Sequence, residues 1–242
     1  MSEIINLGNY FMNRYLLPID GGYCLIDTGY KGDIKKFLLA LKKKSIPLDS
    51  IKYLVLTHMH ADHVGFAKEL LDKTNAVLIY DTDDKSRLEA GKNNLKTYIS
   101  DFISLISSKI SISFVDKTQT FPAVYYDNYV DAKTQPLSKY GIEFLSLKGH
   151  TECDVALLYD GKLFCGDICM NNIMSTHHSP MWIHNKYNMI DSWSYILSHK
   201  DISTIYPAHG KPFPVSDLGK DIAFWKNKGV FPLLPPDKTR WI

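Results

Sequence analysis

The chain has 242 residues, 45% of them hydrophobic and 22% charged, which is enough apolar material for a sizeable core in a single domain spanning 1–242. Twenty-eight Lys and Arg against 26 Asp and Glu leave a formal charge of +2 with three arginines (Arg14, Arg87, Arg240), a balance that excludes the broad phosphate-tracking surface that nucleic-acid binding needs. Cys24, Cys153, Cys165 and Cys169 form no CxxC pair, no window is apolar for the length of a bilayer span, and Met1-Ser2-Glu3-Ile4 lacks the basic and apolar blocks of a signal peptide. A soluble protein of a reducing cytoplasm is expected.

From Ile4 to Ile19 the residues are mostly apolar or aromatic. Asp20-Gly21-Gly22 then offers a tight turn and Tyr23-Cys24-Leu25-Ile26 resumes the run, predicting a β-hairpin that delivers Asp27-Thr28-Gly29 to a strand end. After Asp33, the residues Ile34, Phe37, Leu38 and Leu41 fall at helical spacing, and Lys42-Lys43-Lys44 at the end of that helix suits the macrodipole and faces water. A strand over 51–57 follows.

That strand runs into Thr57-His58-Met59-His60-Ala61-Asp62-His63-Val64-Gly65, with three imidazoles and a carboxylate within six positions. Imidazole and carboxylate are preferred ligands of a borderline divalent ion such as zinc, and a loop leaving a strand end can turn all four side chains inward. His58 and His60 alternate as in an extended segment, whereas the adjacent Asp62 and His63 leave in different directions, so the spacing allows two metals.

A short helix through Leu70-Leu71 and a strand Ala76 to Tyr80 complete a β-α-β-α-β progression, which argues for an α/β architecture with helices outside the sheets. Asp81-Thr82-Asp83-Asp84 fits acids at a helix start better than a catalytic cluster. A second helical segment carries Leu95, Tyr98, Ile99, Phe102 and Ile106 on one face, apolar enough to cover the core or a substrate pocket. Between Phe121 and Pro136, Tyr125, Tyr126 and Tyr129 either line a pocket or pack an irregular connection, and the whole stretch from about 83 to 139 reads as a helical and irregular insertion. A strand over 142–147 then precedes a hairpin built from 155–159, Asp160-Gly161 and 162–165.

The ends of these strands carry His150 in Lys148-Gly149-His150-Thr151 and Asp167 in Cys165-Gly166-Asp167. A helix from about Met189 to His199 leads into strand 204–206 and then Pro207-Ala208-His209-Gly210.

Together, His58-Met59-His60-Ala61-Asp62-His63, His150, Asp167 and His209 resemble the metallo-β-lactamase superfamily of hydrolases, whose HxHxDH motif is followed by a His, an Asp and a His, each after a strand. Asp27 in Leu25-Ile26-Asp27-Thr28-Gly29 matches a further family position behind the metal loop, and the resemblance covers roughly Leu25 to Gly210. It implies an αβ/βα sandwich, two central mixed sheets flanked by helices, with a dinuclear site where the sheet ends converge. It further implies that His58, His60 and His150 hold one divalent ion, that Asp62, His63 and His209 hold the other, and that Asp167 bridges them, with Zn2+ the first expectation and Mn2+ or Fe2+ the alternatives. Two cations sharing a water would deprotonate it near neutral pH for attack on a carbonyl or phosphoryl centre, and Asp62 is the expected proton carrier.

Within the superfamily the full carboxylate-bridged set looks more like lactonases, glyoxalase II-type thioesterases and phosphodiesterases than like antibiotic-hydrolysing enzymes. The acyl-homoserine lactonases place a tyrosine three residues after the bridging Asp, where this chain has Met170, unless Tyr126, Tyr129 or a nearby histidine substitutes. The expected activity is metal-dependent hydrolysis of a small carboxylic ester, lactone or thioester. A mononuclear iron dioxygenase of the same superfamily, or a phosphodiesterase or β-lactamase-type hydrolase, is the alternative. Leu95, Tyr98, Phe102, Tyr126, Met181 and Trp182 are the expected pocket walls, His177-His178 and His184 are read as solvent-facing loop residues, and His199 as a partner of its helix's last carbonyls. Cys165 and Cys169 are read as small buried apolar residues. The expected partner is a small-molecule substrate, with no nucleic acid or membrane and a homodimer left open.

Overall fold

The computed structural model describes residues 3–93, 98–99, 120–173 and 175–232. A first sheet has the order β1-β2-β3-β4-β5-β7, built from β1 (Ile5–Asn6), β2 (Tyr15–Ile19), β3 (Gly22–Ile26), β4 (Ile51–Val55), β5 (Val77–Tyr80) and β7 (Tyr129–Asp131). β2 and β3 form the antiparallel hairpin, whereas β3, β4, β5 and β7 run parallel, which the intervening helices α1 (Ile34–Lys43), α3 (Ala67–Leu71) and α4 (Lys85–Ala90) make possible. A second sheet has the order β13-β12-β10-β9-β8, from β8 (Ile142–Leu147), β9 (Asp154–Tyr159), β10 (Lys162–Phe164), β12 (Thr204–Tyr206) and β13 (Phe213–Pro214). Helices α5 (Lys186–Ser198) and α6 (Leu218–Asn227) cover its outer side.

Alternation along the strands separates three apolar layers. On β2 to β5, Leu16, Leu25, Leu54 and Leu78 face outward onto Phe37 and Leu41 of α1 and Leu70 of α3, while Leu17, Cys24, Ile26, Val55 and Ile79 face inward. The inward set meets Ile142, Phe144, Val155, Leu157 and Phe164 of the second sheet, forming the layer between the sheets. Ala156, Leu158, Leu163 and Ile205 point the other way onto Met189, Trp193 and Ile196 of α5 and Trp225 of α6. Each fully buried large side chain contributes about 1.5–3 kcal/mol by leaving water. The result is two mixed sheets flanked by helices.

Two expectations about the middle of the chain need correction. Tyr129–Asp131 is a parallel edge strand on β5, so part of the stretch read as an insertion belongs to the first sheet. Residues Tyr98–Ile99, expected in a helix, form a short strand (β6) between β11 (Trp182–Ile183) and β14 (Phe231–Pro232). Aromatic and β-branched residues fit a pleated pair as well as a helical stripe, and here the strand partners decide. The remainder of that expected helix, including Leu95, Phe102 and Ile106, lies outside the described residues. Among the described residues no helix is long and apolar enough to cross a membrane.

The topology gathers particular strand ends. β3 and β4 are parallel, so Asp27 and the loop after Val55 leave at one end of the first sheet. β10 and β12 are parallel, and β8 and β10 are each antiparallel to β9, so the segments after Leu147, Phe164 and Tyr206 leave at one end of the second sheet. Val155 N donating to Thr57 O at 2.8 Å joins the two ends.

Candidate metal centre

Asp27 lies in the left-handed region at φ 57°, a conformation Asp tolerates better than most residues. Its carboxylate accepts from Thr57 N through Oδ1 and from Thr57 Oγ1 and His63 Nδ1 through Oδ2, each at 2.8 Å. The chain then turns at His60 into the short helix α2 (Ala61–Val64), which separates Asp62 from His63. Asp27 therefore fixes the loop from behind.

The hydrogen bonds also fix which ring nitrogens face inward. Thr57 has one hydroxyl proton and gives it to Asp27, so toward His58 Nδ1, 3.0 Å away, it accepts, and His58 Nε2 is left with its lone pair. His150 Nδ1 donates to Trp182 O at 2.8 Å, which leaves His150 Nε2 in the same state. These two nitrogens and His60 Nδ1 form a triangle with sides of 2.9, 2.9 and 3.2 Å. Zinc–nitrogen bonds in a tetrahedral site place ligand atoms roughly 3.3 Å apart, so the triangle fits one cation.

A second group mirrors the first. His63 Nδ1 is held by Asp27 and His209 Nδ1 donates to Phe11 O at 2.6 Å, so both Nε2 atoms face inward. His209 Nε2 lies 3.2 Å from Asp62 Oδ2, and His63 Nε2 3.9 Å from Asp62 Oδ1. Asp167 stands between the groups: Oδ2 is 3.7 Å from His150 Nε2 and 3.5 Å from His209 Nε2, while Oδ1 is 3.4 Å from His63 Nε2. Gly166 makes this position reachable, because at φ 55° a Cβ there would lie 2.6 Å from Thr57 Oγ1. All seven residues named from the sequence thus converge.

His63 Nε2 and Asp167 Oδ1 are buried without a hydrogen-bond partner, and acceptor atoms facing one another at these distances need a cation between them. His58, His60, His150 and Asp167 can each offer an atom within 4.8 Å of the others, as can Asp62, His63 and His209. The donor set therefore fits divalent metal.

Electrostatically the two groups differ. Burial, with the neighbouring imidazoles, pushes His58 well below the usual histidine range and His60 down to about 3, so both of these rings are neutral. Burial also opposes charge on His209 and His63, but Asp167, with Asp62 and for His63 also Asp27, outweighs it, raising His209 to about 9 and His63 well above its ordinary value. Burial opposes ionisation of the carboxyls too. His63 and His209 nevertheless hold Asp62 well below the usual carboxylate range, and His209 followed by His63 brings Asp167 down to about 2.

The pocket residues named from the sequence divide. Trp182 stands at the first trio, its ring 5.6 Å from that of His60 and nearly perpendicular to it, with Met181 half-buried beside it. Tyr126 is not brought to the centre: it packs on the helix-side core of the first sheet and donates to Ala76 O at 2.9 Å. Tyr129 accepts from Lys85 Nζ instead. Leu95 and Phe102, and the side chain of Tyr98, lie outside the described residues. Asp81 accepts from Asp83 N and pairs with Lys133 at 2.6 Å, a capping role, whereas Asp84 is buried against Arg87.

Four further histidines behave differently from expectation. His177 and His178 are not free in solvent: their Nδ1 atoms reach Asp221 Oδ1 and Oδ2 at 3.2 and 2.7 Å, and their rings stack on Phe224 and Phe213. His199 offers its backbone N to Ile196 O, but its buried Nδ1 has no partner and its ring meets Tyr195. His184 does reach the centre's edge, lining a narrow cleft with His60, His150, Arg87 and Glu152. Cys165 and Cys169 are buried as small apolar residues. The sequence alone left Trp182 O, Phe11 O and Asp221 unnoticed, since backbone acceptors and clamps carry no motif.

The sequence profile of the metallo-beta-lactamase superfamily matches residues 10–209, and the chain belongs to that superfamily. With its His and Asp clusters, it is a metallo-hydrolase of that family. Its relatives include a protein of Methanocaldococcus jannaschii named a probable metallo-hydrolase, 23% identical over 224 residues that span 91% of this chain and 95% of the relative. An archaeal metallo-beta-lactamase superfamily protein of Sulfolobus tokodaii superposes with TM-score 0.67 at 18% identity, covering 95% of this chain and 88% of that one. A metallo-beta-lactamase mutant of Cronobacter sakazakii gives the same TM-score of 0.67 at 16% identity, over 92% and 90% of the two chains.

Proposed function

We propose that the chain is a dinuclear metal-dependent hydrolase acting on a small carboxylic ester, lactone or thioester. The observation that carries this reading is Asp167 Oδ2, 3.7 Å from His150 Nε2 in one group and 3.5 Å from His209 Nε2 in the other, the place of a shared carboxylate. His58, His60 and His150 would hold one ion and Asp62, His63 and His209 the second, with Zn2+ favoured by the nitrogen-rich set and Mn2+ or Fe2+ as alternatives. Bound divalent ions supply Lewis acidity, making water easy to deprotonate and polarising the substrate carbonyl.

The chain's own residues do the rest. Asp62, kept ionised by its histidines, takes the proton from the attacking water and returns it to the leaving oxygen or sulfur. Trp182, edge-on to His60, and Met181 wall the first trio against solvent and accept the apolar part of a small substrate. The charge balance of the chain fits such a neutral or singly charged molecule better than a nucleic acid.

Elemental analysis of protein purified without added metal tests the reading. Close to two zinc or manganese per chain, with turnover of members of an ester, lactone and thioester panel, is expected. One iron per chain with no hydrolysis would replace it by the dioxygenase alternative.

A further inference from the structure

Four of the five histidines of the centre have their outer ring nitrogen held: His58 by Thr57 Oγ1, His63 by Asp27 Oδ2, His150 by Trp182 O and His209 by Phe11 O. His60 differs. Its Nδ1 lies 2.9 Å from both His58 Nε2 and His150 Nε2, so Nδ1 offers the lone pair to the first ion and Nε2 carries the ring proton. That N–H is buried with no acceptor within hydrogen-bond distance, and a buried donor left so is costly. The ring lines a narrow cleft with Arg87, Asn93, His150, Thr151, Glu152 and His184, whose free volume of about 10 Å³ is that of one water. Arg87 has only donors, Thr151 Oγ1 already donates to Asp154 Oδ1 and accepts from Cys153 N, and Asn93 has a partner of its own. Glu152 retains acceptor capacity: Oε2 accepts from Arg87 and Oε1 lies 3.5 Å from His184 Nε2, which occupies two of a carboxylate's roughly four acceptor positions.

We propose that Glu152 is a positioning residue for the first ion: one water in the cleft accepts from His60 Nε2 and donates to the Glu152 carboxylate, which fixes the ring and makes Nδ1 a stronger donor to metal. The inference rests on the metal centre of the reading above. A histidine that holds metal almost always gives its other N–H to a carboxylate, a carbonyl or a water, and a bridging water serves nearly as well as a direct bond. Glu152 is itself held in place. Arg87 is anchored on the buried carboxylate of Asp84, and His184 N donates to Gly149 O at 2.8 Å, beside His150. A surface ion pair with Arg87 alone would account for the half-exposed carboxylate, but exposed pairs contribute little and it would leave the His60 N–H unanswered.

The test compares wild type with Glu152→Gln, which keeps an acceptor oxygen, and Glu152→Ala, which removes it. Both variants take the negative charge away from Arg87, so the difference between them isolates the acceptor. Zinc titrated against a coloured chelator is expected to bind the first group about tenfold more weakly in Glu152→Ala and less than about threefold more weakly in Glu152→Gln. Proton NMR of the cobalt-loaded protein supplies a signature that a surface ion pair would not move. Among the paramagnetically shifted ring N–H signals, one is expected to exchange with water faster in Glu152→Ala than in wild type, with the others unchanged. Equal losses of affinity in the two variants, or ring N–H signals that all exchange as in wild type, overturn the proposal and leave Glu152 a partner of Arg87 only. Neither readout uses turnover, so zinc uptake without hydrolysis of any ester, lactone or thioester would overturn the hydrolase reading while the role of Glu152 is still decided. A wild type that takes up neither zinc nor cobalt would overturn both.

Discussion

The two halves of the centre are built from the same residue types but not on the same electrostatic plan. His58, His60 and His150 form an all-imidazole trio in which Thr57 and Trp182 O set the tautomers of His58 and His150, and burial keeps His58 and His60 deprotonated. Asp62, His63 and His209 mix a carboxylate with two imidazoles, and in the metal-free chain those imidazoles are pushed toward the charged form. One half is prepared for a cation by exclusion of protons. The other is prepared by negative charge, and protons compete for it.

The largest test of this contrast removes what the halves share. Asp167→Ala is expected to lower metal content and to cost more than about a thousandfold in kcat, since the several kcal/mol of charge stabilisation that bound metal supplies scale at about 1.4 kcal/mol per tenfold. Metal analysis beside ester hydrolysis checks it, and full occupancy in that variant would remove the shared role. Next in size is the pH dependence of metal affinity. His209, raised to about 9, and His63, also raised, must give up protons when metal binds at neutral pH, so affinity at the second group should climb at least about tenfold per pH unit from 7 toward 9. His58 and His60, both lowered, have no proton to lose there, so the first group should respond less steeply over that range. Titrations of zinc at three pH values resolve the two behaviours, and two parallel slopes would erase the distinction.

Asp27→Asn sharpens the comparison from behind the ligands. It weakens the acceptor for His63 Nδ1 directly and reaches His58 only through Thr57, so about a 10–100-fold loss of metal affinity is expected, larger at the second group. Competition with a coloured chelator measures it. The smallest effect belongs to Asp221→Ala, which leaves His177 and His178 without their acceptor but touches neither group. A loss of about 1–3 kcal/mol in chemical denaturation with unchanged metal content is expected.

What was legible in the sequence follows from where its information lies. Each of His58, His150, Asp167 and His209 ends an apolar strand, so periodicity alone places them at sheet ends, and the parallel pairings then bring those ends together. Tyr126 departs from its expected place in the pocket because an aromatic near an irregular stretch suits a core and a pocket equally well, and only the contact with Ala76 O decides between them. The acceptors that set tautomers, Trp182 O and Phe11 O, are backbone atoms whose residue identity says nothing of the role. The clamp on His177 and His178 depends on Asp221 of α6, beyond the stretch that the resemblance covers.

The order of the ligands along the chain has a consequence during synthesis. Chains emerge N-terminus first. His58 and His60 leave the ribosome early, their partner His150 is 92 residues beyond His58, and His209 comes last of all. A nascent chain can therefore complete the imidazole trio well before the acidic group exists, and an ion captured at that stage would staple the first sheet to the arriving second one while α5 and α6 are still unmade.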